Sequence, residues 1–401
     1  MAAMGDTERV SGWFESSELV HPCSDEPSFA DLVRALQLAG AAPARRDGEG
    51  KAEALAALIA GARHRVFVLV DGLGAELIER LPADAFLRNN LVRKLRAVFP
   101  ATTASALTTL ATGLWPCDHC IPGWWTRLTH QELSAVSLLF TERTSGRPLT
   151  ELGIAPAVLY PVPSAWPGLD LDFHSVLPAE IANSIFAKYL AGGLNRLPYD
   201  TLERAIAISE NLVIGADRPA FVYLYIPQLD TLLHGTGSSD RRVDELLLAI
   251  DRLLGRLAAA IGSRARLIVA SDHGLVDIQA DRVVTLGPDD PLIRYLTCPP
   301  TGEPSVPVFH LRPGQDDSFA RDFSARFGDL FALVSVAEAE RTKLYGPGKL
   351  VPLMRERLGS FIGIAPRPAK LYLAPTGSSA KHKAIHGGLR PGEMVTPLVV
   401  A

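Results

Sequence analysis

RVFVLV at residues 65–70, running into Asp71-Gly72-Leu73-Gly74, decides the fold. The run is unbroken and rich in β-branched residues. A strand with one face in water would alternate, so this one reads as buried on both faces, as a central strand of a parallel sheet is. A short helical pattern follows at 75–80. The same arrangement recurs twice. AFVYLYI at 220–226 runs on to Gln228-Leu229-Asp230, and RLIVA at 266–270 runs on to Ser271-Asp272-His273-Gly274. Between these two lies an amphipathic helical pattern at 240–261, with Val243, Leu246, Leu247, Ile250, Leu253, Leu254 and Leu257 on one stripe. Strand, helix, strand, helix predicts an α/β fold with a mostly parallel central sheet and helices on both faces. Ligands of such sheets sit beyond the carboxyl ends of the strands. Three strands lead to Asp71, Asp230 and Asp272, so the carboxylates converge at the mouth of the sheet if the strands are neighbours.

Outward from this frame the signals weaken. Residues 1–25 read as irregular. Helical spacing begins at 28–38 with Ser28 or Asp25 as cap, and returns at 52–58 after a Pro/Gly/charge-rich linker at 42–50. A short element at 91–98 leads through Phe99-Pro100-Ala101-Thr102-Thr103 into a small-residue helix at 104–112. Further helices are expected at 180–190 and 201–213, and strands at 304–311 and 394–400. An N-terminal segment (1–62) is thus set apart from a main domain (63–401) with insertions around 115–200 and 281–380; the first reads as loops over a site, and 281–375 as alternating short strand-like and helical segments.

Composition narrows the function classes. The chain has 401 residues, net charge −4 and 47% hydrophobic residues, enough for a substantial core. No apolar run reaches the ~18 residues that span a bilayer. No basic block stands out, so attraction to polymeric nucleic acid or anionic membrane is not expected. The first residues carry acidic groups and no basic-then-apolar leader, which reads as a cytoplasmic protein. Four cysteines, Cys23, Cys117, Cys120 and Cys298, make no disulfide framework. Cys117-Asp-His-Cys120 is a CxxC, either a redox pair, half a zinc site, or two partly buried thiols in a loop. The lack of a second CxxC favours the last.

Three carboxylates in one crevice repel each other unless cations sit between them. Histidines occur where ligands are needed. His273 follows Asp272, His234 is one helical turn beyond Asp230, and His386 opens a Gly-rich segment before the last strand. Asp and His together suit zinc, with manganese or iron as alternatives. Alone, each residue has an ordinary role: an Asp after a strand forms turns or caps helices, and a lone His packs in a core or on a surface. Their joint placement at strand ends is what points to a metal pair. Thr103, at the start of the small-residue helix, is the candidate nucleophile. A helix N-terminus favours phosphate, and a cation beside a threonine hydroxyl makes its proton easier to lose. Thr102 or Thr103 is also a suitable N-cap.

VLVDGLG (68–74), FPATTASALTTLATGLWP (99–116), YLYIPQLDTLLHGTG (223–237), VASDHGL (269–275) and HGGLRPGEMVTPLVV (386–400) together resemble the alkaline phosphatase superfamily, in its type I phosphodiesterase/nucleotide pyrophosphatase branch. The resemblance implies two divalent metal ions, zinc above all. One is held by Asp230, His234 and His386, the other by Asp71, Asp272 and His273, with Thr103 bridging toward the second. It selects Thr103 over Thr102 and implies a phospho-threonine intermediate that water then cleaves. The implied substrate is a small phosphate ester or nucleotide, cut at a phosphodiester or pyrophosphate bond. A phosphomonoesterase, phosphonate hydrolase or phospho-mutase on the same fold is the alternative, and a catalytically silent metal-binding protein a third reading. The closing segment also resembles the tail of cofactor-independent phosphoglycerate mutases, and no Cys-x-Pro-x-Arg sulfatase signature is present.

The chain departs from the branch at Ala106, where an Asn three residues after the nucleophile is expected to hold a phosphate oxygen. His382, between Lys381 and Lys383, reads as a loop residue. His119 is a candidate for the entrance of the site. Trp115, Trp124 and Trp125 either cover the core or stack on a nucleobase, and core cover is the preferred reading.

Overall fold

The computed structural model describes residues 2–38, 50–374 and 381–401. Its centre is a seven-stranded sheet in the order Leu91–Arg96, Val395–Val400, Ala265–Ala270, His64–Val70, Ala220–Ile226, Asp172–Pro178, Asn195–Tyr199. Every pairing from Ala265–Ala270 to Asn195–Tyr199 is parallel, and only Val395–Val400 runs against its neighbours. The expected α/β fold is therefore present.

The unbroken apolar run has the predicted cause. Phe67 and Leu69 point to one side of the sheet, into a cluster with Phe29, Leu36 and Leu110. Val66, Val68 and Val70 point to the other side, onto Leu247, Ile250 and Leu254 of the 21-residue helix Arg241–Ile261. Each side chain fully removed from water in this way contributes roughly 1.5–3 kcal/mol.

The three Asp-bearing strands are adjacent, with Val70 paired to Ile226 and Leu69 to Ala270. They end level, so the loops that follow them meet. The single antiparallel strand brings its own segment to the same place. Leu398 pairs with Ala270, so the chain preceding Val395, including His386, lies at the carboxyl end of the parallel strands. The strand Leu91–Arg96 pairs antiparallel to that one, and so delivers the helix Thr103–Thr112 to the same mouth.

Several readings away from the centre need correction. Residues 1–25 contain a helix, Ala2–Glu15. Asp6 accepts from Leu333 N at 3.0 Å, and Arg9 donates to Gly328 O at 2.9 Å, contacts more than 300 residues away that no local pattern reveals. The helix at 28–38 starts at Phe29 and is capped by Ser28, whose Oγ accepts from Asp31 N. The expected linker at 42–50 lies, apart from Gly50, outside the described residues. The helix expected over 180–190 is confined to Ile185–Leu190, after turns, and the strand over 304–311 is half of a hairpin, Thr301–Glu303 with Val306–Phe309. Two strands of the main sheet, Asp172–Pro178 and Asn195–Tyr199, went unread.

The first insertion, expected as overlying loops, and the second, where short strands alternate with helices as expected, share a second seven-stranded sheet. Its order is Ala332–Ser335, Phe361–Ile364, Val306–Phe309, Thr301–Glu303, Trp125–Leu128, Leu133–Val136, Thr141–Glu142, and its pairings are antiparallel. The seam is the pairing of Gly302 with Trp125. No described helix is long and apolar enough to cross a membrane.

Candidate metal and phosphate site

Asp71 is the first residue beyond its strand and Asp272 the second beyond its own. Asp230 is not at a strand end: it stands in the first turn of the helix Gln228–Thr236, with His234 one turn on, as the spacing predicted. Gly72 makes the junction. Its φ is +74°, and a Cβ there would lie 2.7 Å from Leu275 Cδ1 and 3.0 Å from Asp230 Cβ, so only glycine lets the two loops come together.

The seven predicted site residues fall into two groups around Thr103. Asp71, Asp272 and His273 are buried, and Asp230, His234 and His386 are partly buried. Within each group one ligand atom per residue lies within 4.8 Å of the others. The rings of His273 and His386 stack at 3.9 Å and join the two groups. Thr103 heads its helix, with Oγ1 3.1 Å from His273 Nε2 and 3.4 Å from Asp71 Oδ2.

The protons of the three imidazoles are fixed by their backs. Nδ1 of His234 meets the Ala384 carbonyl at 2.8 Å, that of His386 the Ala101 carbonyl at 3.1 Å, and that of His273 the Gly274 carbonyl at 3.2 Å. A carbonyl only accepts, so each Nδ1 donates and, in the neutral ring, each Nε2 carries a bare lone pair. His234 Nε2 lies 3.4 Å from Asp230 Oδ1. His273 Nε2 lies 3.5 Å from Asp71 Oδ1 and 3.4 Å from Asp272 Oδ2. These three oxygens, Asp71 Oδ1, Asp230 Oδ1 and Asp272 Oδ2, are buried and accept no hydrogen bond. Lone pairs thus face lone pairs, an arrangement that a cation satisfies.

The titration shifts have the same origin. Burial, then Asp272 and Asp230, push the Asp71 carboxyl well above its ordinary range; burial and then Asp272 do the same to Asp230. Burial, then His382, lower His234 to about 3. Burial, then His273 and His234, push His386 well below its usual value, and burial lowers His273. Divalent cations would reverse the penalty on the carboxylates and favour the neutral imidazoles.

A cleft of about 490 Å³ opens beside Thr102, Thr103, Asp230, His234 and His386. Its walls come from the second sheet and its surroundings: Trp124, Trp125, Arg143, Glu303, Ser305, Lys370, Tyr372 and His382. Ser305 Oγ donates to the His386 carbonyl at 2.6 Å, and the Trp124 N–H donates to Glu303 Oε1 at 2.7 Å. Burial raises the Glu303 carboxyl to about 7 and lowers the Lys370 amine to about 8.

Some secondary assignments change. Ala106 is fully buried in the core and is not among the residues that line the cleft. His119 is not at the entrance. It is fully buried, its Nε2 3.2 Å from Thr109 Oγ1, while Nδ1 accepts from Ile121 N. Trp115 covers the core as expected, but Trp124 and Trp125 line the cleft, and His382 packs its ring 4.1 Å from that of His234. Cys117 and Cys120 are free, buried thiols. Tyr225 went unread as a site residue. Its hydroxyl donates a short hydrogen bond to Asp71 Oδ2, and the one signal was an aromatic residue at the penultimate position of its strand. Ser271 was also passed over. Its Oγ accepts from Leu73 N at 3.0 Å and ties together two of the Asp-bearing loops.

A family model described as type I phosphodiesterase / nucleotide pyrophosphatase matches residues 65–345, most of the chain and four of the five motif segments in full. The chain belongs to this family. It is 28% identical over 215 residues to mouse ectonucleotide pyrophosphatase/phosphodiesterase family member 3, a match covering 50% of this chain and 23% of that protein. It is 28% identical over 203 residues to venom phosphodiesterase 2 of Crotalus adamanteus, covering 47% and 23%. The matches therefore span about a quarter of these relatives' length. Murine ectonucleotide pyrophosphatase/phosphodiesterase 5, solved as an inactive variant in complex with AMP, superposes with a TM-score of 0.62 over 84% of this chain and 87% of that one, at 18% identity. The human counterpart gives a TM-score of 0.64 at 16% identity. At such identity the likeness is one of fold.

Proposed function

We propose that this family member is a two-metal phosphoric ester hydrolase that cleaves phosphodiester or nucleotide pyrophosphate bonds with Thr103 as nucleophile. The observation that carries this is the set of facing lone pairs: three imidazole Nε2 atoms and three unpartnered carboxylate oxygens around one threonine hydroxyl. Asp230, His234 and His386 would hold one ion and Asp71, Asp272 and His273 the other, with zinc the best match to this donor set. Bound there, divalent cations supply charge to offset the carboxylates, make the Thr103 proton easier to lose, and stabilise the attacking and leaving oxygens.

The chain's own residues do the rest. The helix Thr103–Thr112 presents its amino end to the phosphate, and its first residue places Oγ1 for attack on phosphorus. A bond forms from Thr103 Oγ1 to phosphorus, and the bond from phosphorus to the leaving oxygen breaks. Water then attacks the phospho-threonine, which releases phosphate or a phosphomonoester and restores the hydroxyl. Tyr225 holds Asp71 from behind, and Ser305 holds the backbone of His386.

The test is elemental metal analysis of the purified protein beside hydrolysis of bis-p-nitrophenyl phosphate and p-nitrophenyl phosphate. About two metals per chain with a preference for the diester is the expected result. Preference for the monoester moves the reaction to a phosphomonoesterase. No metal with no turnover withdraws the reading.

A further inference from the structure

Glu393, in the short helix Pro391–Met394, is a carboxyl only 2% exposed that the proposed reaction does not use. Burial this deep is costly unless the oxygens are satisfied. Oε1 accepts from Gly388 N at 2.8 Å and Oε2 from Arg390 N at 3.3 Å. The second bond is the ordinary back-bond of a glutamate three residues into a helix. The first reaches past the helix, into the Gly-rich segment that begins at His386. The Glu393 backbone carbonyl engages another loop, accepting from Gly274 N at 2.9 Å, next to His273.

Glycines let these loops meet. A Cβ on Gly274 would run into the Gly392 carbonyl and lie 2.8 Å from Gly74 Cα, and one on Gly388 would lie 2.7 Å from Glu393 Oε2. The turn at 390–394 is therefore wedged against the loops beyond Asp71 and Asp272, while its carboxylate grips the loop of His386. That loop is also held by Ser305 Oγ on the His386 carbonyl and by Ala101 N on the Gly387 carbonyl at 3.3 Å. Glu393 adds a direct tie between the segments that carry the two groups of candidate ligands.

We propose that Glu393 is a positioning residue, which ties the His386 loop to the His273 loop and so sets the spacing of the two metal-ligand groups. This deepens the two-metal reading and rests on it. Paired metals that act on one phosphoryl group stand about 3.5–4 Å apart. The rings of His273 and His386, 3.9 Å between centres, are where the two groups meet. Loss of a residue that orients metal ligands from behind costs about 10–100-fold in metal affinity.

Two measurements on the full chain test this. Hydrogen exchange of the protein stripped of metal by a chelator, read by mass spectrometry, reports the tie itself. Glu393→Ala speeds exchange by about tenfold over 386–390 and also over 272–275, whose bond to residue 393 is made by backbone and is not deleted. The strand His64–Val70 keeps the protection of the parent. Glu393→Gln, which retains an acceptor for one of the two N–H groups, shows a smaller change. Gly388→Ala, which keeps Glu393 but crowds its carboxylate, repeats the pattern and serves if Glu393→Ala does not fold. Faster exchange confined to 386–390 overturns the tie, and so does an equal rise across the whole chain, which marks a general loss of stability. Competition for zinc with a chelator then reports the consequence. Zinc binds about tenfold or more weakly to Glu393→Ala, and unchanged affinity overturns the positioning role. An unsubstituted chain that binds no zinc withdraws the two-metal reading, whereas the exchange pattern of the metal-free proteins still decides the tie.

Discussion

The two triads use the same residue types but are built in opposite ways. Asp71, Asp272 and His273 are buried, sit on loops directly beyond two paired central strands, and are braced by Tyr225, Ser271 and backbone N–H groups. Asp230, His234 and His386 are partly open. Two ride on one helix, and the third arrives from the segment before the antiparallel strand, held by Ser305 of the second sheet. The first triad is an extension of the sheet's own register, whereas the second is assembled by the packing of separate parts. The buried triad is therefore suited to fix the nucleophile, and the open one to meet the part of the substrate that varies.

The largest expected effect tests what the triads share. Thr103→Ala lowers turnover of bis-p-nitrophenyl phosphate by about 10³-fold or more while metal content stays near that of the parent. Equal activity in the variant removes Thr103 as nucleophile. Next, removing one side chain from either triad separates them. Asp272→Ala and His386→Ala each lower zinc stoichiometry by about one per chain. Differential scanning calorimetry then shows the larger loss of stability for Asp272→Ala, because its site lies inside the core. Unchanged stoichiometry in either variant, measured by elemental analysis, breaks the assignment of that triad.

A third prediction concerns the sheet behind the open triad. The Glu303 carboxyl titrates at about 7 in the folded protein against an ordinary 4.5. Between those values the folded chain keeps a proton that the unfolded chain has lost, so stability falls as pH rises, and the loss is complete above about 7. The gap corresponds to roughly 3 kcal/mol at full burial. Glu303→Gln keeps the acceptor for Trp124 N–H and removes this slope. Denaturant titrations of both proteins at pH 5 and pH 8 measure it, and parallel pH dependence in the two would exclude Glu303 as its source. The smallest effect is expected at Tyr225→Phe. Loss of one donor to Asp71 Oδ2 lowers turnover by about tenfold or less, with metal stoichiometry retained. A full loss of metal would instead make Tyr225 essential to the buried triad.

The contrast between the triads also explains what could be read from the sequence. RVFVLV, AFVYLYI and RLIVA carry their own diagnosis, because a strand buried on both faces must be apolar throughout, and the Asp residues beyond them interrupt that rule where function demands it. His234 was legible because a helix fixes its offset from Asp230. His386 was a candidate from its Gly-rich setting before the last strand, but its grouping with Asp230 and His234 came from resemblance, since nothing near it shows that an antiparallel strand leads it to the mouth. The second sheet was illegible for a similar reason. Its strands are two to four residues long, several carry Pro or Gly, and its two halves meet at one seam across more than a hundred residues, so no local period survives. The cleft residues Arg143, Glu303 and Lys370 lie on or beside those strands and shared that obscurity. Asp172–Pro178 failed differently, because a charge and a histidine at its start disguise a buried strand.

The pairing of Gly302 with Trp125 gives this architecture a modular limit. The cleft wall is sewn from two stretches of chain, one on each side of the strands that carry Asp230 and Asp272. A chimera that exchanges only the first stretch with a relative leaves Thr301–Glu303 bordering a foreign edge. New specificity in this scaffold must then be inherited as a matched pair of segments, or arise one side chain at a time.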